Sequence, residues 1–273
     1  MNYTSLTIQC DESLSEIMIA ELSDFPFDSF TYEDQSLVAY LPTESLAANR
    51  SAIEQLLQRY HLTGSWLEIE TQNWNTQWEQ SLQCVSIEGR LMIRAPYHDP
   101  APEGMMDVVL NPQMSFGTGH HATTWMMSHA LLDLGVEHRT GLDIGCGTGV
   151  LAIVAAKCGA AHVDAVDIDD LCVKSCHENC RMNHVEERIT EYLGDVRIVG
   201  ERSYDFIVEN IHRNILIAQM QHVAALLVKG GDLLMSGFWE EDVAPIVEAA
   251  EKAGLHLVGT DQREEWRMIH VRK

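Results

Sequence analysis

The sequence lacks long hydrophobic runs and a disulfide pattern, and each absence narrows what the chain can be. Apolar residues make up 46% of the 273 positions, yet no uninterrupted stretch is long enough to span a bilayer. The first residues also lack the basic-then-apolar order of a secretion signal, so we expect a cytoplasmic protein. The seven cysteines are odd in number and do not have the spacing of a disulfide framework, which favours reduced thiols.

Basic residues are scarce. Only 18 lysines and arginines oppose 41 acidic residues, which gives a formal net charge of −23. Over residues 1–60 the basic side chains are Arg50 and Arg59, whereas the acidic ones are Asp11, Glu12, Glu16, Glu21, Asp24, Asp28, Glu33, Asp34, Glu44 and Glu54. Such a field repels phosphate backbones and disfavours broad nucleic-acid binding. It suits either general solubility or the steering of a basic protein partner.

Residues 1–63 are predicted to form a small acidic α+β domain. The stretches "YTSLTIQC" and "SLVAYLP" have the composition of strands. Ser13 and Glu16 have the spacing of a capping box at the start of an amphipathic helix. A second helix is predicted over residues 43–60.

Residues 64–80 are predicted to form a linker with a short helix. Trp74 and Trp78 stand four positions apart, so on a helix they share one face. We expect these tryptophans to pack between two domains, with stacking on a substrate as the alternative.

Residues 81–273 are predicted to form an α/β domain with a doubly wound, mostly parallel seven-stranded sheet, because predicted strands and helices alternate. The last stretch, "LHLVGTDQREEWRMIHVRK", predicts two strands joined by a polar turn, which makes an antiparallel end to the sheet. The remaining predicted strands are 140–144, 162–167, 189–193, 204–209 and 231–236. The predicted helices are 121–134, 149–158, 170–183, 212–228 and 240–253.

The stretch "LDIGCGTGV" places Gly145, Gly147 and Gly149 in a tight turn between a strand and a helix. Glycines permit such a turn and let a ligand approach the backbone. The spacing G-x-G-x-G differs from the G-x-G-x-x-G of common dinucleotide sites. Asp143 precedes the turn, and an acid there suits a ligand with a cationic amino-acid end better than a pyrophosphate.

Two further acids follow the next two predicted strands. Asp167 ends the strand "HVDAVD", where a carboxylate is placed to accept both hydroxyls of a ribose, in either NAD or an adenosyl ligand. Asp195 follows the third strand, where its side chain could meet an adenine amino group. The alternative for Asp195 is a turn or cap residue.

Taken together, these features resemble the class I S-adenosylmethionine-dependent methyltransferases over roughly residues 110–240. The stretches "LNPQMSFGTGHHATT" and "VENIHRNI" narrow the resemblance to the PrmA family, whose members methylate ribosomal protein L11. The likeness extends to the acidic first domain and the tryptophan linker. It implies the cofactor S-adenosylmethionine and a basic ribosomal protein as substrate. The lack of a long apolar run and the acidic charge predict no membrane or nucleic-acid partner.

The resemblance also implies roles for individual residues. Thr124, Gly145, Asp167 and Asn210 are expected to contact the cofactor, as are Gly147 and Asp195 from the motif itself. Phe116 to Gly119 are expected to form a lip over it. Simple helix capping is the alternative for Thr123 and Thr124. No metal site is predicted, because His120 and His121 lack a third ligand at a suitable spacing.

Asn210 is the predicted catalytic residue, since its amide oxygen can orient an acceptor amine. The sequence departs from the family at Ala122, where proline is usual, and around Asn210, where Glu209, His212 and Arg213 replace small or apolar residues. These departures bear on the acceptor pocket. For Glu209 and His212 a surface or helix-cap position is the main expectation and proton acceptance the alternative.

The family resemblance implies methylation of lysine side chains and of the N-terminal amine of L11. The alternatives are methylation of another protein, of a small-molecule amine or of a nucleic-acid base, a ribosome assembly factor without turnover, and an NAD dehydrogenase.

Cys172, Cys176 and Cys180 recur at four-residue intervals, which predicts one helical stripe packed on the sheet. A metal or redox role for them needs a ligand that the sequence does not supply.

Overall fold

The chain forms two compact units, Met1–Gln80 and Ser81–Lys273. The residues that the computed structural model describes are 3–33, 35–69, 84–111 and 121–273. Within those ranges, no helix is long and apolar enough to cross a membrane. The predicted packing of Trp74 and Trp78 lies outside the described residues and stays a prediction.

Over residues 3–33 and 35–69, the first unit contains a four-stranded antiparallel sheet and two helices. Its strand order is β2-β3-β1-β4. Alternate residues of β3 are buried, which places one face of this strand on a core that includes Leu6, Met18 and Ile53. The elements are β1 (Tyr3–Gln9), α1 (Glu12–Leu22), β2 (Ser29–Glu33), β3 (Ser36–Pro42), α2 (Thr43–Arg59) and β4 (Gly64–Ile69).

Two details of this unit correct the sequence analysis. The predicted boundary at residue 63 is wrong, because β4 lies in the predicted linker and pairs with β1 along its length. The predicted capping box of Ser13 and Glu16 is also wrong. The helix begins at Glu12, and its N-cap is Asp11, two residues before Ser13; the Asp11 carboxylate accepts a hydrogen bond from the Leu14 amide at 2.9 Å.

The second unit begins with a three-stranded sheet that the sequence analysis did not predict. Its strands are β5 (Val85–Ile87), β6 (Leu91–Arg94) and β7 (Met106–Val109). Glu88 and Gly89 both have positive φ, as a tight turn between antiparallel strands requires. Strands this short carry too few residues to show an alternating pattern.

The main sheet has seven strands in the order β10-β9-β8-β11-β12-β14-β13. The pairs are parallel except at β14, which is antiparallel to both of its neighbours. This sheet confirms the predicted fold class. Its strands are β8 (Thr140–Ile144), β9 (His162–Asp167), β10 (Ile189–Leu193), β11 (Tyr204–Asn210), β12 (Leu227–Trp239), β13 (His256–Arg263) and β14 (Trp266–Arg272).

Five described helices accompany this sheet, each within two residues of its predicted bounds. They are α3 (Ala122–Asp133), α4 (Val150–Lys157), α5 (Asp170–Met182), α6 (Arg213–Leu226) and α7 (Glu240–Lys252). The residues of α4 from Val150 to Ala156 are all buried, which explains the continuous apolar run after the glycine turn.

Strands β8, β9, β10 and β11 are parallel and therefore end at the same edge of the sheet. The chain order reverses between β8 and β11, since β9 and β10 lie on one side of β8 and β12 lies beyond β11. In open α/β sheets, ligands bind at such a switch point, outside the carboxyl ends of the strands.

Candidate cofactor and active site

A cavity of about 560 Å³ opens at this edge. Its walls come from the glycine turn, from the ends of β9 and β11, from the segment after β10 and from the start of α3. All the residues that the sequence analysis assigned to the cofactor or to catalysis line it: Thr124, Gly145, Gly147, Asp167, Asp195 and Asn210.

The glycine turn needs its glycines for both conformation and packing. Gly145 has φ of +72°, and a Cβ there would lie 2.4 Å from Ile211 Cγ2. Gly149 caps α4 with φ of +78°, and a Cβ there would lie 2.4 Å from Cys176 Sγ. The turn therefore closes tightly against α5 and against Ile211, the residue after β11, and it lines the cavity.

Asp167 ends β9 and helps to hold the turn. One carboxylate oxygen accepts a hydrogen bond from the Gly147 amide at 3.0 Å, and the other accepts one from the Asp169 amide at 3.0 Å. Each oxygen has a further lone pair, so this carboxylate can also accept hydroxyl hydrogens from a ligand in the cavity.

Asp195 caps a short 3₁₀ helix, Val196–Val199, by accepting a hydrogen bond from the Arg197 amide at 2.9 Å. It also forms an ion pair with the Arg197 side chain, and these contacts lower the pKa of Asp195 to about 2. The structure thus gives Asp195 the cap geometry that was the alternative for it. Its predicted contact with adenine stays a prediction, since it lines the cavity as well.

Thr124 and Asn210 present buried oxygens to the cavity. Thr124 Oγ1 and Asn210 Oδ1 have no hydrogen-bond partner in the described parts of the chain. The capping alternative for the threonines is wrong, because His121 caps α3 by accepting a hydrogen bond from the Thr123 amide at 3.3 Å. Buried oxygens without partners cost free energy, which a polar ligand would recover.

Asp143 is fully buried at the end of β8 and lines the cavity. Its carboxylate accepts a hydrogen bond from the Ala152 amide at 3.1 Å, yet burial raises the pKa of this group to about 7. A cationic group in the cavity would favour the ionised carboxylate. The expectation that the turn accepts a cationic amino-acid end stays a prediction.

Glu209 corrects the expectation of a surface or cap residue. It is fully buried, accepts a hydrogen bond from the Gln219 amide group, and has a pKa raised by burial to about 8. His212 is exposed and caps α6, which confirms the cap expectation for that residue.

Gln219 and Trp266 also line the cavity, and the sequence analysis missed both. Gln219 comes from the second turn of α6, and Trp266 from the start of β14, where its ring lies 4.5 Å from the His121 ring. No local motif marks either residue, because only the packing of distant elements brings them to the site. The predicted lip of Phe116 to Gly119, together with His120, lies outside the described residues.

Comparisons with known proteins extend these observations. The chain matches the family model described as ribosomal protein L11 methyltransferase (PrmA) over residues 4–273. A protein of that name from Porphyromonas gingivalis is 38% identical over 265 residues, which cover 94% of this chain and 90% of the relative. Another from Bacteroides thetaiotaomicron is 36% identical over 272 residues, covering 98% of this chain and 97% of the relative.

A solved structure supports the fold. The crystal structure of ribosomal protein L11 methylase from Lactobacillus delbrueckii subsp. bulgaricus has a TM-score of 0.64 at 24% identity, covering 70% of this chain and 98% of that chain. The family match includes both units, so it confirms the predicted family and, with it, the predicted class of S-adenosylmethionine-dependent methyltransferase. The chain belongs to the PrmA family of ribosomal protein L11 methyltransferases.

Proposed function

We propose that this protein transfers methyl groups from S-adenosylmethionine to amines of ribosomal protein L11, on lysine side chains and at the N-terminus. The observation that carries the proposal is the family match over residues 4–273. It includes the small unit as well as the sheet that bears the cavity, so the likeness is not limited to a cofactor-binding fold. Methylation of another protein or of a small-molecule amine is the alternative.

The residues around the cavity fit the cofactor. The exposed backbone of Gly145 and Gly147 and the buried Asp143 carboxyl suit its methionine end, and Thr124 Oγ1 supplies a hydrogen-bonding group without a partner. Asp167 suits the ribose hydroxyls and Asp195 the adenine. When bound, S-adenosylmethionine supplies a methyl group on a positively charged sulfur, ready for attack by a nucleophile.

Asn210 would orient the acceptor. A lysine amine has a pKa of about 10.4 in water, so it must lose a proton before its lone pair can attack. Removal from water, next to a cationic ligand, lowers that pKa. Asn210 Oδ1, which has no partner among the described residues, can then accept an N–H of the neutral amine and aim the lone pair at the methyl group. Positioning of this kind accounts for a large part of rate enhancement in two-substrate reactions.

The small unit would bind the protein substrate. Its acidic side chains outnumber its basic ones, which complements a basic ribosomal protein. The same charge argues against a nucleic-acid partner, and we expect the protein to act in the cytoplasm on a soluble substrate.

The intact mass of unmodified L11 tests this proposal after incubation with the purified protein and S-adenosylmethionine. We expect mass gains in methyl steps that are lost in Asn210→Ala. Calorimetry with S-adenosylhomocysteine checks that the variant still binds the cofactor product. If wild-type protein binds the cofactor and leaves L11 unmodified, the proposed substrate is wrong and the residues around Asn210 become the place to look for another acceptor.

A further inference from the structure

Three buried thiols form a cluster behind the glycine turn, and the proposed methyl transfer does not use them. Cys176 and Cys180 lie on α5 and are fully buried, and their sulfur atoms are 3.9 Å apart. The Cys176 thiol also interacts with that of Cys146, which belongs to the glycine turn and is buried too. None of the three forms a disulfide.

The strand β10 adds a carboxylate to this cluster. A Glu191 oxygen lies within 4.8 Å of the sulfur atoms of both Cys176 and Cys180. Glu191 Oε1 is buried and accepts no hydrogen bond within the described structure. His177 Nδ1 lies 3.4 Å from this oxygen and pairs with it when the ring is protonated, but the contact is not a hydrogen bond and the His177 side chain is more than half exposed.

Packing of small side chains accounts for the thiols but not for Glu191. A carboxylate oxygen that is shielded from water and has no donor is costly unless a proton or a cation compensates it. Thiolate sulfur and carboxylate oxygen together are ligands of Zn²⁺ and related thiophilic cations. Tetrahedral coordination with Zn–S bonds of about 2.3 Å separates two sulfur atoms by about 3.8 Å, close to the spacing of Cys176 and Cys180.

We propose that Cys176, Cys180 and Glu191 bind one thiophilic divalent cation such as Zn²⁺. The sequence analysis found no further ligand for the cysteine stripe among the neighbouring histidines. The structure supplies one, Glu191, from the adjacent strand β10. The site takes its ligands from two elements, α5 and β10.

An ion here would stabilise the cofactor cavity without contacting the reacting atoms. Gly149 packs against Cys176, and Cys146 itself lines the cavity. Coordination would therefore tie α5 to β10 behind the glycine turn. A ligand that binds only the folded state raises its stability, so the ion should raise the midpoint of thermal unfolding.

Titration of the full chain with Co²⁺ tests the site, after treatment with a chelator and with reductant present under anaerobic conditions. Co²⁺ bound to thiolates gives a charge-transfer absorption in the near ultraviolet, and Zn²⁺ should displace it. We expect saturation at one equivalent and a higher unfolding midpoint with Zn²⁺. Loss of an outer-shell partner typically costs metal affinity about 10–100-fold, so removal of a ligand should cost at least about tenfold.

Three variants make the test specific. Cys180→Ala and Glu191→Gln should each lose the tight Co²⁺ site, whereas Cys158→Ala, a half-buried cysteine outside the cluster, should keep it. Glu191→Gln preserves the shape of the side chain, so its Co²⁺ affinity still tests the site if circular dichroism shows that Cys180→Ala does not fold. The proposal is overturned if wild-type protein shows neither the absorption nor the stabilisation, or if Glu191→Gln binds Co²⁺ as tightly as wild type. None of these measurements depends on methyl transfer.

Discussion

Thr124 buries a hydroxyl that faces the cavity and has no partner among the described residues. Thr124→Val replaces this hydroxyl with a methyl group of similar size. We expect the variant to bind S-adenosylhomocysteine about three- to tenfold more weakly by calorimetry, since a hydrogen bond contributes about 0.5–1.5 kcal/mol. The free energy of unfolding without ligand should not fall, because no hydrogen bond is lost.

Ser128→Ala is the matched control for this prediction. Ser128 Oγ is also buried without a partner, but Ser128 does not line the cavity. Cofactor affinity should therefore be unchanged in Ser128→Ala. Equal affinities in both variants would show that the Thr124 hydroxyl does not contact the ligand.

Glu209 predicts a pH dependence of stability. Burial raises its pKa from 4.5 to about 8, so between these values the folded protein holds a proton that the unfolded chain has lost. The stabilisation from this group is thus complete below about pH 4.5 and is lost as the pH rises through about 8. Glu209→Gln cannot titrate, and the decrease in urea unfolding free energy between about pH 6 and 9 should be smaller in this variant than in wild type.

Glu251→Gln serves as the control for Glu209, because Glu251 is exposed on α7 and its substitution should leave the pH dependence as in wild type. A Glu209→Gln variant with the full wild-type pH dependence would show that Glu209 ionises normally in the folded protein. Asp143 also makes the free energy of unfolding fall as the pH rises, at slightly lower pH than Glu209, since its pKa is raised to about 7.

At the scale of elements, the glycine turn predicts a graded response to added side chains. Gly145→Ala should lower the free energy of unfolding for two reasons: the residue has a positive φ of +72°, and its Cβ would lie 2.4 Å from Ile211 Cγ2. Only the first reason applies to Gly135→Ala, because Gly135 has φ of +67° but a Cβ there would have no atom within 4 Å. A left-handed alanine costs about 1–2 kcal/mol.

We therefore expect Gly135→Ala to lower the free energy of unfolding by about 1–2 kcal/mol and to keep cofactor affinity. Gly145→Ala should be less stable than Gly135→Ala and should lose measurable binding of S-adenosylhomocysteine by calorimetry. If Gly145→Ala bound the ligand as wild type does, the turn would not be the part of the cavity that the cofactor contacts.

The sequence is informative about elements wherever a pattern is local. Gly145, Asp167 and Asn210 each sit at the end of a predicted strand, and parallel strands bring their carboxyl ends to one edge, so their meeting could be predicted. The short strands β5 to β7 could not be predicted, since three or four residues are too few to show a period. Gln219 reaches the cavity only through the packing of α6 on the sheet, which no motif records.

At the scale of the whole molecule, the distribution of charge predicts how the protein finds its substrate. Glu12, Glu16 and Asp24 are exposed on the small unit, at or near α1. If the acidic small unit steers a basic protein, replacing these three residues with lysine should lower kcat/KM for L11 by about tenfold or more at low salt, since steering changes association rates by about 10–10³-fold. The difference from wild type should shrink as salt rises.

A control with the same change in net charge separates steering from general acidity. Glu137, Glu186 and Glu201 are exposed on the second unit and do not line the cavity. Their replacement with lysine should lower kcat/KM for L11 much less, and neither triple variant should change calorimetric affinity for S-adenosylhomocysteine. Equal losses in the two variants would attribute the effect to net charge alone. No loss in either would leave the acidic residues of the small unit with solubility as their only role, and substrate binding would have to rest on other contacts of that unit.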